Sequence, residues 1–448
     1  MSRRDRGAGG PGVEVRRAAF RVLSDVRKGS YADRAAADRF RELTGRDRAL
    51  GQELAYGTIR LRDRLDAELS GLVDRPLTTL DPPLLDWLRL GLYQLRETRI
   101  PPHAAVHATV EGTRSELGRG PSGLANAVLR RADREAREPP VFPDPETTPE
   151  AWLSTYGSHP DWLIRRWLAR WPLADVRRLV ENDNRAPPVT LRLLESRSGN
   201  LEPGDTDSEL SLEPLPDWPG MVRLMAGDPA RVLARRKAIA QDPAASAVVE
   251  FIGPEIEGPV LDVCAAPGGK AAALAQLAPG ARPFVAADVA VARTRLAAET
   301  LRRTGSDARP VVMDGRRPAI RSARTVLLDA PCSGTGVLRR RPDARWRISE
   351  RRLDSLRDLQ AELLDACAEL LEPGGLLVYA TCSLEPEENQ AQVESFLSRR
   401  PEFEREPSTG MTGRAEKCLT ECGDLEVLPF ETGTDGAFAS RLRKGDNG

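Results

Sequence analysis

The sequence predicts a multidomain chain in which an all-helical domain precedes a doubly wound α/β domain, with a small α/β subdomain between them. Three observations predict it. At 448 residues the chain exceeds one ordinary domain. Apolar residues recur at spacings of three and four from residue 13 to about 138, as in Val15, Ala18, Ala19, Val22 and Leu23. From residue 259 the pattern changes to short continuous apolar runs that alternate with helix-like stretches, which is how a parallel sheet covered on both faces reads.

Residues 1–12, MSRRDRGAGGPG, are basic and glycine-rich with nothing to bury, and read as a disordered lead-in. Residues 13–138 read as a helical domain punctuated by Pro76, Pro82, Pro83, Pro101 and Pro102, because proline lacks the donor a helix interior needs. Residues 139–150, PPVFPDPETTPE, carry five prolines and read as a linker. Residues 151–250 read as a connecting subdomain that opens with two tryptophan-bearing helices (162-WLIRRWLARW-171) and goes on with short apolar runs between Gly, Pro and Asp turns. Residues 251–445 form the α/β domain.

Composition excludes several classes. With 40% hydrophobic and 30% charged residues and no apolar run near 18 residues, the chain is expected to be soluble, cytoplasmic and without a membrane span. Six cysteines without a CxxC pair and three histidines give neither a disulfide framework nor a metal site, so free thiols are expected. The net charge of −1 conceals an excess of Lys and Arg in the first 140 residues, where 26 basic side chains stand against 20 acidic ones.

Right-handed crossovers bring the carboxyl ends of parallel strands to one edge, where open α/β sheets bind ligands. The unusual residues of the α/β domain fall at such ends. The first strand runs into 262-DVCAAPGGK-270, a glycine-bearing turn that opens a helix, whose amides can face an anionic or polar cofactor. A phosphate-binding P-loop needs glycine at position 264 and a hydroxyl residue at 271, where the sequence has Cys264 and Ala271; the GxGxxG of dinucleotide folds is also missing. Asp288, Asp314 and Asp329 end the next strands. One acid there could be a simple cap or turn residue, but three in series favour a nucleoside-bearing ligand, with Asp288 placed for ribose hydroxyls and Asp314 for an adenine amino group.

Two cysteines share this edge. Cys332 follows Asp329 in DAPCS, and Cys382 ends the later strand in YATCS. A buried cysteine is ordinarily a small apolar residue, which suits Cys367 within its leucine-rich helix. Cys332 and Cys382 are each followed by serine in a turn and lie in no core stripe. A carboxylate that holds the N3 edge of a cytosine, with a thiol beside the ring, is what addition to carbon 6 of an unreactive pyrimidine needs. That addition makes carbon 5 nucleophilic, and two thiols can divide attack and release. Nearby, 337-VLRRRPDARWRISERR-352 has seven arginines and Trp346, a composition that suits either a solvated helix face or a surface that tracks phosphates and stacks bases.

LDVCAAPGGK, LLDAPCSGTGVLRRRPDARW and VYATCSLEPEEN resemble the motifs of bacterial RNA (cytosine-5)-methyltransferases, and the 16S ribosomal RNA enzymes of the RsmB/Sun (Fmu) type are the nearest match. RDRALGQELAYGTIR, WLRLGLYQL, IPPHAAVHATVE and GLANAVLR are similar to the NusB-like helical RNA-binding domain of those enzymes. The resemblance implies a Rossmann-like class I methyltransferase domain and S-adenosyl-L-methionine as cofactor. The cofactor would be held by Cys264, Ala265, Ala266, Pro267, Gly268, Gly269 and Lys270 and by Asp288, Asp314 and Asp329. It further implies that Cys382 is the nucleophile, that Cys332 assists release and that Asp329 also serves at the base. Arg339, Arg340, Arg341, Arg345 and Trp346 would contact RNA. The expected partner is 16S rRNA, free or within a small-subunit assembly intermediate, and the expected state is a monomer without metal. A tRNA cytosine-5 methyltransferase and a non-catalytic RNA-binding assembly factor are the alternatives. The sequence departs from the family's pattern at Ala271, at Ala437 and upstream of Gln241–Asp242, where a glycine is missing.

Overall fold

The computed structural model describes residues 11–136, 142–194, 210–234, 238–253 and 256–446. Most of the expected lead-in, residues 1–10, and the start of the expected linker lie outside them. The chain divides into two compact units. One comprises Met1–Ala186 with Leu338–Arg347; the other comprises Pro187–Val337 with Ile348–Gly448.

The first unit is helical: α1 (Pro11–Arg27), α2 (Ala32–Arg39), α3 (Gly45–Arg60), α4 (Arg62–Leu72), α5 (Pro82–Glu97), α6 (Pro102–Leu117), α7 (Arg119–Arg134), α8 (Pro149–Thr155), α9 (Asp161–Arg170) and α10 (Leu173–Asn184). Prolines sit in the first turns of α5 and α6, where a missing N–H costs nothing because the first amides of a helix have no intrahelical partner. The apolar stripe of α5 buries Leu84, Trp87, Leu88 and Leu92, and Phe20 of α1 stacks on Trp87 with ring centroids 4.6 Å apart. Buried polar contacts cross this core, from Arg16 Nε to Gln94 Oε1 at 2.6 Å and from Gln94 Nε2 to Thr109 Oγ1 at 3.1 Å.

The structure draws the boundary elsewhere than the sequence reading did. The expected connecting subdomain, 151–250, is split: its helices α8 to α10 pack in the helical unit, and its strands belong to the α/β unit. Local patterns identify a strand or a helix but not the core that it joins.

Residues 338–347 correct a second expectation. Arg345 is fully buried, and its guanidinium donates to the carbonyl oxygens of Arg60 (3.2 Å), Ser158 (3.0 Å) and Asp183 (3.1 Å) and to Asn184 Oδ1 (2.9 Å). Arg339 is buried and bonds Asn182 Oδ1 at 2.9 Å, and its carbonyl accepts from Arg60. Trp346 donates to the Ile59 carbonyl at 2.8 Å beneath the Arg62 guanidinium. These side chains hold a segment of the helical unit together, so Arg345, Arg339 and Trp346 are not the phosphate-facing surface that composition suggested. Arg340 is half-buried and Arg341 exposed.

The α/β unit contains two sheets. A four-stranded antiparallel sheet of β1 (Thr190–Leu193), β2 (Ser211–Pro214), β3 (Met221–Ala226) and β4 (Ala238–Ala240) has the order β2-β3-β1-β4. The larger sheet holds β5 (Val260–Asp262), β6 (Phe284–Asp288), β7 (Arg309–Val312), β8 (Ala323–Asp329), β9 (Leu371–Thr381), β10 (Phe403–Arg405), β11 (Leu425–Val427) and β12 (Ala437–Lys444). Its order is β10-β12-β9-β8-β5-β6-β7, with β11 paired to β12. Strands β5 to β9 pair in parallel, whereas β12 runs antiparallel to β9, so the sheet is mixed at that edge. The strand at the other edge, β7, is exposed along its length rather than buried, which explains how it accommodates Pro310. Helices α11 (Pro229–Ala234) and α12 (Pro243–Ile252) flank β4, and α13 (Gly269–Leu277), α14 (Val291–Thr304) and α15 (Glu350–Leu370) follow β5, β6 and β8. Strand order reverses between β5 and β8, and a crevice at the carboxyl ends of these two strands is where such sheets bind ligands.

Candidate active site

The two thiols meet beside that crevice, past the carboxyl ends of β8 and β9. Asp329 at the end of β8 pairs in register with Ala380 of β9, and the Ala330 amide donates to the Ala380 carbonyl at 2.8 Å. Three residues beyond Asp329 on one strand and two beyond Ala380 on the other, the sulfurs of Cys332 and Cys382 lie 3.3 Å apart, and the Cys382 amide donates to Cys332 Sγ at 3.3 Å. All six cysteines are free. The Cys332 thiol is pushed well up by its hydrogen bond to Cys382, by burial and by the charges of Cys382 and Glu388.

A close backbone approach seals the loop behind the thiols. The Gly336 amide donates to the Cys382 carbonyl at 3.0 Å, and the Gly436 amide donates to the Gly336 carbonyl at 2.7 Å. A Cβ on Gly336 would stand 2.9 Å from both the Cys382 oxygen and Gly436 Cα, which leaves no room for a side chain.

Lys270, in the first turn of α13, reaches Asp329 Oδ2 at 2.7 Å. Burial alone would lower the lysine, but the Asp329 carboxylate outweighs it and the pKa is raised. Beneath the pair lies Asp262, wholly buried, whose carboxylate has no well-formed hydrogen bond although the Cys264 amide is close. Burial, and then Asp329, push its carboxyl well above the usual range. Between them runs the predicted loop 264–270. Gly268 caps α13 with φ +97 and lies against α14, where a Cβ would come 3.0 Å from Ala297 Cα, so the turn demands glycine twice over. The Cys264 thiol is pushed up by burial.

Asp288 is buried at the end of β6; one oxygen accepts from the Ala290 amide at 3.0 Å and the other pairs with Arg293 at 3.0 Å. Asp314, past the end of β7, is bound by the amide (3.0 Å) and guanidinium of Arg316. The structure therefore gathers the 264–270 loop, Asp329, Cys332 and Cys382, with Asp288 on the neighbouring strand, and leaves Asp314 on the outer, more exposed one.

Sequence reasoning passed over a buried polar network behind the thiols. Glu388 accepts from the Ser333 amide and from Gln360 Nε2, each at 2.9 Å, and from the Ser333 hydroxyl. Thr381 Oγ1 donates to Asn389 Oδ1 at 2.6 Å, and Asn389 Nδ2 donates to the Ser383 carbonyl at 2.9 Å. The motif TCSLEPEEN was legible, but nothing in the string separates Glu388 from Glu385 or Glu387.

A doubly wound sheet whose carboxyl edge joins a glycine turn, an acid–lysine pair and two touching thiols has the layout of a group-transfer enzyme. Comparison with known proteins agrees. Residues 249–443 match the family described as 16S rRNA methyltransferase RsmB/F, residues 13–134 the NusB family, and residues 159–198 the Methyltr_RsmF/B-like ferredoxin-like domain. The chain is 35% identical to Ribosomal RNA small subunit methyltransferase B of Cronobacter sakazakii over 95% of its own length and 97% of that protein. It is 37% identical to the protein of the same name from Sodalis glossinidius, over 90% of this chain and 91% of that one. The crystal structure of PH0851 covers 98% of this chain and is itself covered completely, with a TM-score of 0.79 at 23% identity, a likeness of fold. The structure of NSun6 from Pyrococcus horikoshii with SFG covers 62% of this chain and is 97% covered, with a TM-score of 0.52 at 18% identity. The chain belongs to the RsmB/F family of methyltransferases.

Proposed function

We propose that this methyltransferase places a methyl group on carbon 5 of a cytosine in 16S rRNA through a covalent cysteine adduct. The observation that carries the reading is the 3.3 Å contact of Cys332 and Cys382 beside Asp329. Relatives named for the small-subunit ribosomal RNA, over nearly the whole chain, support the substrate, and the match of the first helices to the NusB family supports RNA binding.

The residues present fit S-adenosyl-L-methionine. Asp288 ends β6 where a ribose would be met, the 264–270 loop opens a helix, and the buried Asp262 carboxylate below it lacks a well-formed hydrogen bond. SFG, present with NSun6, is an analogue of that cofactor. When bound, the cofactor supplies an electrophilic methyl on a sulfonium sulfur.

Every other part belongs to the chain. Asp329, held by Lys270, is placed to hold the N3 edge of the cytosine. Cys382 Sγ adds to carbon 6, which turns carbon 5 into a nucleophile. Cys332 assists loss of the carbon 5 proton as the carbon 6–sulfur bond breaks. A thiol must approach the ring face-on, so the target nucleotide is single-stranded or flipped from its stack. No helix among the described residues is long and apolar enough to cross a membrane, and an rRNA substrate supports a cytoplasmic location.

The test follows the methyl group and the adduct with naked 16S rRNA, small-subunit particles and tRNA as substrates. Cys382→Ala is expected to abolish both transfer and adduct. Cys332→Ala is expected to accumulate a protein–RNA adduct that survives denaturation. Transfer by Cys382→Ala, or no adduct from Cys332→Ala, overturns the division of labour, and methylation of tRNA alone overturns the substrate.

A further inference from the structure

The proposed chemistry gives no role to a carboxylate buried behind the thiols. Glu388 is fully buried, yet its carboxylate is met by donors from two sides. The amide and the hydroxyl of Ser333 donate to it, the first at 2.9 Å, and Ser383 bonds it as well. Ser333 directly follows Cys332, and Ser383 directly follows Cys382. Gln360 of α15 completes the set, donating to Glu388 Oε1 at 2.9 Å and to the Pro331 carbonyl at 3.0 Å. The Tyr379 hydroxyl donates to the Glu388 carbonyl at 2.6 Å and fixes the backbone that carries it. The two hydroxyls are also in contact, with Ser333 Oγ and Ser383 Oγ 3.0 Å apart.

Joining the strands does not require this arrangement, because β8 and β9 are already paired from Ala323 to Asp329. A buried carboxylate is costly unless its bonds are satisfied, so its place here points to the loops beyond the strands. We propose that Glu388 is a positioning residue for methyl transfer: it ties the residue after one thiol to the residue after the other, holds the two sulfurs in contact, and sets a negative charge close to Cys332.

This inference rests on the cysteine reading above. In the release step, the carbon 5 proton passes to Cys332 Sγ, its bonding pair forms the carbon 5–carbon 6 double bond, and the carbon 6–sulfur pair returns to Cys382. That transfer depends on the distance between the sulfurs and on the protonation of Cys332. The groups around Cys332 are Cys382, Glu388 and the Tyr379 hydroxyl, and the Lys270 ammonium, bonded to Asp329, interacts with Cys382. Among them Glu388 opposes the Cys332 thiolate.

The experiment measures attack and release separately, by single-turnover methyl transfer and adduct decay, in the full-length enzyme between pH 6 and 9. Glu388→Gln keeps the shape and removes the charge. Release is expected to slow by about ten-fold or more, as misplacement of a reacting group does. Adduct should therefore accumulate with both cysteines present, and the acid limb of release should move to lower pH. Ser333→Ala removes one tie and keeps the charge, so it should slow release with the limb in place. A Glu388→Gln enzyme with the wild-type ratio of attack to release and the wild-type pH profile overturns the proposal. So does an equal loss of both steps together with a lower melting temperature, which marks packing alone. If Glu388→Gln does not fold, an unchanged ratio in Ser333→Ala overturns it. Cys332→Ala run in parallel separates the two ideas, since absence of its adduct refutes the cysteine reading itself.

Discussion

The sulfurs of Cys332 and Cys382 lie 3.3 Å apart although 50 residues separate them in the chain. Parallel pairing of β8 and β9 brings them to the same edge, but register alone leaves each loop free to turn away. The turn at Gly336 closes that freedom, because its amide holds the Cys382 carbonyl and its α-carbon packs against Gly436. Gly336→Ala is expected to lower methyl transfer by roughly ten- to a hundredfold, the scale of an ångström's misplacement. Circular dichroism should remain that of the wild type. Unchanged turnover in the alanine variant would show that the loop adapts without moving the thiols.

Lys270 offers a second lever. Its ammonium is bonded to Asp329 at 2.7 Å, and that carboxylate adds to the burial that raises the Asp262 carboxyl nearby. Lys270→Met keeps the aliphatic stem and removes the charge. Single-turnover methylation should fall by about 10²–10³, as loss of one positioned electrostatic contact does. Lys270→Arg should not restore it, because a planar fork does not occupy the place of a compact ammonium. Calorimetric titration with the cofactor separates weakened binding from weakened chemistry.

Much of this site was legible in the sequence because period and position carry the information. Apolar runs ending in DVC, LLDAPC and VYATC mark strand ends, and parallel topology takes strand ends to one edge. What was illegible depends on distant partners. Arg345 meets carbonyls of residues 60, 158 and 183, so no local window distinguishes it from an arginine facing phosphate. Glu388 is one of three glutamates within four residues, and its burial follows from Ser333 and Gln360 elsewhere in the chain. The exposure of β7 and the reversed direction of β12 likewise follow from their places in the sheet rather than from composition.

The helical unit carries its own pH dependence. His159 is fully buried, with Nδ1 2.7 Å from the Gly157 carbonyl, and burial followed by the Arg345 charge pushes it down to about 4. A histidine whose folded pKa lies below its unfolded value of 6.5 contributes stability that is present above that value and is lost as pH falls toward 4. The loss amounts to about 3 kcal/mol across that window. Hydrogen exchange of the α9 amides should accelerate between pH 6.5 and 4 beyond the intrinsic pH effect. His159→Gln should flatten that slope even though it lowers stability at pH 7. A slope unaltered in the variant would assign the acid sensitivity to other groups.

Arg345 separates folding from RNA binding. Burial lowers its guanidinium to about 9, which leaves it charged at neutral pH and dependent on its four oxygen partners. Arg345→Ala leaves three carbonyls and the Asn184 side chain unmet in a buried place, and the helical unit should lose about 3–5 kcal/mol, comparable to breaking a buried ionic contact. Arg345→Lys should recover only part of this, because one ammonium cannot span a set of acceptors spread around a fork. A phosphate contact behaves differently: its removal weakens RNA binding and reduces the slope of log affinity against log salt by about 0.7–0.9 per contact. The salt slope of RNA binding should therefore be the same in Arg345→Lys and in the wild type at a temperature where both are folded. A reduced slope at wild-type stability would return Arg345 to the RNA surface that composition suggested.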